Sequence, residues 1–97
     1  MRFEGSGNLK VKLFENKANM TAAQIDALIT PGICFGWVEY SAGYPFRGRW
    51  VLFITVPYGG TNNMAQIAFG MEKTGKMICI RDKVSGTWGS WETVNLS

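Results

Sequence analysis

Apolar and polar positions along most of this chain follow one scheme, short strand-like runs divided by turn residues. The clearest run is the last. Lys76 to Asp82 is apolar at Met77, Ile78, Cys79 and Ile80 and closes with Arg81, a turn follows at Ser85-Gly86, and Thr87 to Val94 returns with Trp88 and Trp91. Such runs, bounded by turn residues, predict a hairpin. The two Trp stand three positions apart, so on an unbroken strand one faces the core and the other faces solvent or a partner. A bulge at Gly89 would cancel that opposition.

Upstream, Gly5-Ser6-Gly7 marks residues 1–8 as a lead. Leu9, Val11 and Leu13 then alternate with Lys10 and Lys12, the pattern of a half-buried strand with lysines guarding an open edge. Glu15 to Asn19 is polar and turn-like. Thr21-Ala22-Ala23-Gln24 has the form of a capping box, with Met20 and Ile25 placed for a hydrophobic staple. Ala22, Ile25, Leu28 and Ile29 recur at helical spacing, which predicts one short amphipathic helix ending before Thr30, because Pro31 pushes its predecessor out of the α region. Pro31-Gly32 suits the centre of a type II turn.

The remaining strands are predicted at Ile33 to Tyr40, Trp50 to Val56 and Met64 to Phe69, with loops at 41–48 and 57–63. Trp50 to Val56 is apolar or β-branched at every position, the pattern of a central strand covered on both faces. One helix near the start and no helix–strand alternation argue against a doubly wound fold. The expected fold is mainly β (α+β), a small antiparallel meander or sandwich of five to six strands with one short N-terminal helix. Residues 1–19 form a lead and edge strand in this scheme, and 20–97 form the β domain.

Composition narrows the picture. The 97 residues suit one domain, and 46% hydrophobic with 13% aromatic content suits a packed core. The net charge of +3 is spread out; only Lys10/Lys12 and Arg47/Arg49 pair up, so nucleic acid is not the expected partner. No apolar run approaches the roughly 18 residues of a membrane span, and no membrane insertion is expected. Cys34 and Cys79 fall inside strands, as buried thiols or as a disulfide if their Cα atoms come within about 7 Å. There is no His, which removes the commonest zinc ligand and general base, and no metal or cofactor is expected.

Catalysis is not expected either. Neither Cys has an evident activating base, and no Gly-rich loop with Lys opens a helix. Glu39, Asp82 and Glu92 make a carboxylate pair conceivable, but nothing singles them out.

The order of a short helix, Leu28-Ile29-Thr30-Pro31-Gly32-Ile33, a central apolar strand, Gln66-Ile67-Ala68-Phe69, Met77-Ile78-Cys79-Ile80-Arg81 and Trp88-Gly89-Ser90-Trp91-Glu92 resembles the knob domains of phage tail fibres and R-type pyocin fibres. The likeness spans residues 21–94. It departs from the pattern after Ile33, where such domains often carry an aromatic residue and this chain carries Cys34. The resemblance implies a non-catalytic tail module of a phage or prophage, commonly a homotrimer, made in the bacterial host cytoplasm and placed in the virion tail. Its implied partners are bacterial surface glycans and other tail or fibre proteins, with the N-terminal residues as the join to a fibre shaft. A purely structural role in trimerisation or baseplate attachment is the alternative.

Candidate ligand contacts follow from exposed aromatic and cationic positions. Tyr44, Phe46, Arg47 and Arg49 interleave rings with guanidinium groups in one loop, able to stack a sugar face and hold an anionic substituent. Phe46 and Tyr44 could equally close the end of the core. Tyr58 sits at a Gly-rich turn and Trp88 on the last hairpin. Core placement is expected for at least one of Trp37 and Tyr40. Arg81 and Gln66 are placed to meet as a polar pair at the sheet margin, with Asp82 or Glu92 as the answering carboxylate.

Overall fold

A computed structural model describes residues 16–58, 60, 62–71 and 75–94, with side chains from Asn19 onward. The fold is mainly β, as the pattern predicts. Strands β1 (Asn16–Met20), β2 (Gly32–Val38), β3 (Arg49–Pro57), β4 (Met64–Met71), β5 (Met77–Val84), β6 (Thr87–Trp88) and β7 (Glu92–Thr93) join in a single sheet, with helix α1 (Ala22–Asp26) between the first two. Sheet order follows chain order from β1 to β6, and β7 also pairs with β5. The arrangement is a meander and not a sandwich.

Two departures lie at the start. The strand predicted at Leu9 to Leu13 falls outside the described residues, while the turn expected over Glu15 to Asn19 gives way to β1 over Asn16 to Met20, which runs parallel to β2. A parallel neighbour needs a crossover, and α1 supplies it. The boundary drawn between residues 19 and 20 therefore cuts a strand of the sheet.

The helix is capped as predicted: Thr21 Oγ1 accepts from the Gln24 amide at 3.3 Å, and Gln24 Oε1 accepts from the Thr21 amide at 2.9 Å. Met20 and Ile25 are both fully buried in the same core cluster. The helix stops at Asp26, earlier than its apolar spacing suggests. Ending there frees the Leu28 carbonyl, which receives Thr55 Oγ1 and Gln66 Nε2 at 3.4 Å each. Gly32 opens β2 with a φ of 150°, away from the roughly +80° of a type II turn.

Register decides which side chains share a face. Cys34, Phe53, Ala68 and Cys79 lie in one row across β2 to β5, all buried beneath α1, the 40–48 loop and the return limb of the last hairpin. Neither cysteine is in a disulfide. Three strand spacings separate them, about 14 Å, which excludes a disulfide between them.

The opposite face is apolar as well. Phe35, Leu52, Phe69 and Ile78 form one row; Ile33, Ile54, Ile67 and Ile80 form the next. Trp37 and Trp50 extend it, Trp50 stacked on Phe35 at 5.3 Å between ring centroids. None of these side chains is fully buried, and Trp50 and Ile80 are each 43% exposed. The central position predicted for β3 is observed, but the described residues cover only one of its faces. Neither Trp37 nor Tyr40 enters the core: Trp37 lies on this open face, and Tyr40 is exposed in a 3-10 turn.

Candidate functional site

The last hairpin turns at Ser85 and Gly86, whose φ values are 52° and 84°. These are the two left-handed positions of a type I′ turn. Lys83 faces Trp88 and Ile80 faces Glu92, so three steps on β5 oppose four on the return limb. The extra residue is a bulge, and it lies in the stretch that contains Gly89. Gly89 donates its amide to the Asp82 carbonyl at 2.8 Å there. One inserted residue reverses side-chain direction, so Trp88 and Trp91 face the same side instead of opposite sides.

They meet over Arg81. Its guanidinium carbon lies 3.9 Å from the centroid of the Trp88 ring, 4.4 Å from that of Trp91 and 5.5 Å from that of Tyr44. Desolvated cation–π contacts of this kind contribute about 2 kcal/mol or more. Arg81 is buried, on the inner face of β5, and its Nε donates to Gln66 Oε1 at 2.9 Å. The pair predicted from sequence thus exists, within the protein and not at the sheet margin. Gln66 Nε2 continues the chain of contacts to Thr55 Oγ1 at 3.3 Å, and all three residues are buried. A buried polar group needs such partners because an unmade hydrogen bond there costs about 1–3 kcal/mol.

The answering carboxylate is Asp26, at the end of α1, and not Asp82 or Glu92. Its Oδ1 lies 2.9 Å from Arg81 Nη2 and accepts from the Tyr44 hydroxyl at 2.7 Å. Trp88 Nε1 donates to the Asp26 carbonyl at 3.1 Å. Burial first, then the bond to Asp26 and that carboxylate's charge, push the Tyr44 phenol above its ordinary range, against a smaller opposing effect of Arg81. The hydroxyl is a donor at neutral pH.

These residues line an open cleft of about 460 Å³, with Tyr44 and Pro45 on one side, Trp88 to Trp91 on the other and Asp26 and Arg81 between them. The Asp26 carboxylate, 41% exposed, and the Tyr44 and Trp rings border the opening, while the Arg81 guanidinium lies buried behind the rings. The described residues hold no group of three His, Cys, Asp or Glu suited to a metal ion.

Of the six predicted contacts, the structure brings Tyr44 and Trp88 together here. Phe46 is fully buried, edge-on to Trp91 at 4.8 Å and to Phe53 at 5.4 Å between centroids, and belongs to the core. That is a correction with an ordinary cause: a phenyl ring has no polar tip to keep wet, and burying it contributes about 1.5–3 kcal/mol. Arg47 is exposed and reaches the Tyr44 carbonyl at 3.2 Å, while Arg49 donates to the Gly75 carbonyl at 2.7 Å. Neither Arg lines the cleft. Tyr58, 60% exposed, stands at the β3–β4 turn, likewise outside it.

Asp26 was absent from the candidates. Its signal was modest, a carboxylate next to Ile25 on the buried stripe of the helix, where a solvated charge is out of place without a partner.

Among the described residues no helix is long and apolar enough to cross a membrane. Comparisons of the chain with protein-family profiles, with curated proteins and with solved structures find no match.

Proposed function

We propose that this chain is a knob-type module of a phage or prophage tail fibre that binds bacterial surface carbohydrate without catalysis. The observation that supports it is the open cleft in which Trp88 and Tyr44 border the Asp26–Arg81 pair. A pyranose laid on an aromatic face leaves its hydroxyls directed at the exposed Asp26 carboxylate, whose position the buried Arg81 fixes, the usual division between apolar and polar contacts in a small-ligand site. In this setting the module acts in the virion tail, as a homotrimer beside other tail and fibre proteins.

Binding of the full chain to an array of bacterial surface glycans tests the proposal, beside a Ser90→Trp variant. Ser90 is an exposed cleft residue, so the added ring fills the cleft while every partner of Arg81 stays in place. Saturable binding that the variant loses at least about tenfold, with unchanged circular dichroism, is the expected result, a difference of about 1.4 kcal/mol or more. If the folded protein binds no glycan, the second reading takes over, a structural module for assembly of the tail. A separate observation favours that reading, the open apolar face of the sheet.

A further inference from the structure

Hydrogen bonding in the cleft is one-sided. Its donors are committed within the protein: the Tyr44 hydroxyl to Asp26 Oδ1, Trp88 Nε1 to the Asp26 carbonyl, the Gly89 amide to the Asp82 carbonyl and Arg81 Nε to Gln66 Oε1. The indole nitrogen of Trp91 is buried, and the Arg81 side chain is 2% exposed. An acceptor is left over. Arg81 Nη2 and the Tyr44 hydroxyl both meet Oδ1 of Asp26, so they use only part of the roughly four acceptor sites of an ionised carboxylate. Oδ2 takes no bond from a described residue and stands at the opening.

The ion pair is also oriented. Its cation lies behind the rings and its anion at the opening, so a ligand meets a negative field although the pair has no net charge. Asp82 adds to that field, its Oδ1 standing 3.6 Å from where a side chain at Gly89, a cleft residue, would begin. The cations that could answer an acidic sugar are elsewhere. Arg47 and Arg49 do not line the cleft, and neither does Lys83, whose Nζ is 5.5 Å from the Trp88 centroid.

We infer that the cleft prefers sugars with a free, protonated amine over neutral ones and excludes acidic ones, with Asp26 as the residue that sets the preference. The inference rests on the carbohydrate reading and adds the charge of the ligand to it. An ammonium brings three donors and no acceptor, which suits a carboxylate oxygen without a partner. A carboxylate on the sugar brings acceptors only, finds the donors of the cleft already engaged and faces a like charge.

An array carrying the same oligosaccharides in free-amine, N-acetylated, neutral and uronic acid forms tests it, with the full chain and Ser90→Trp. The free-amine form is expected to bind about tenfold tighter than its acetylated and neutral counterparts, since charge-assisted hydrogen bonds are roughly twice as strong as neutral ones. The uronic form is expected to bind at least about tenfold more weakly than the neutral one, and Ser90→Trp to lose binding of every form. Asp26→Asn keeps an oxygen for the Tyr44 hydroxyl and removes the charge, so it should level the amine and acetylated forms. Because that variant also weakens the hold on Arg81, salt supplies a second readout on the wild type. The advantage of the amine should shrink between about 0.01 and about 1 M salt, as the screening length falls from about 30 to about 3 Å. Neutral or uronic forms bound as tightly as the amines, or an amine preference that salt leaves unmoved, overturn the inference while the carbohydrate reading stands. Binding that survives Ser90→Trp moves the sugar out of the cleft and overturns it too. A folded chain that binds no member of the array ends the carbohydrate reading, and this inference with it.

Discussion

Arg81 is the residue on which the inner face depends. Its Nε bond to Gln66, its ion pair with Asp26 and its contacts with three aromatic rings join β4, β5, α1, the 40–48 loop and the return limb. Arg81→Ala removes a buried cation and leaves Gln66 Oε1 without its donor, at an expected cost of about 3 kcal/mol in urea unfolding. Arg81→Lys is expected to recover only a small part of this, since an ammonium has neither the planar face that lies over the indoles nor the fork that serves Gln66 and Asp26 together. Tyr44 gives a prediction in pH. Its phenol is raised in the folded chain, chiefly by burial, so folded and unfolded chains both hold the proton at neutral pH and the stabilisation is then fully present. Above a pH of about 10 the unfolded chain releases its proton first, and stability falls until the folded phenol titrates as well. Tyr44→Phe lacks that loss, so the difference between wild type and variant in urea midpoint should shrink as pH rises through this window.

At the scale of the element, the last hairpin carries the strongest local signal and also a surprise. Ser85 and Gly86 both adopt positive φ, which glycine does at no steric cost and serine does not. Ser85→Asn creates the preferred Asn-Gly pair and is expected to stabilise by about 0.5 kcal/mol, which raises Tm by about 2–4 °C. Asn63 Oδ1 accepts from the residue 85 amide at 3.1 Å, a bond the substitution leaves intact. The surprise is the return limb, expected as one strand to Val94 and found as two short strands about a bulge. Alternation could state the rule that sets Trp88 against Trp91 but not the register. The helix shows the converse: the capping box was legible as four consecutive residues, because both bonds close within one turn.

At the scale of the molecule, one sheet holds its core on one side and an apolar surface on the other. The covering layer on the inner side is thin, a helix of five residues, a loop and the return limb, which is why single side chains such as Phe46 and Arg81 matter so much to it.

Local pattern was enough for the mainly β fold, the capped helix, the turn at Ser85-Gly86 and the central place of β3, because periodicity, capping and turn sterics act within a few residues. The Gln66–Arg81 pair was also within reach, since both are polar residues in otherwise apolar strands. The parallel pairing of β1, the burial of Phe46, the shared side of Trp88 and Trp91 and the choice of Asp26 as partner of Arg81 were not. Asp26 and Arg81 meet across most of the domain, and the Trp pair turns on a single inserted residue in the ladder. Long-range register and packing settle such contacts, and a chain read one window at a time holds no measure of either.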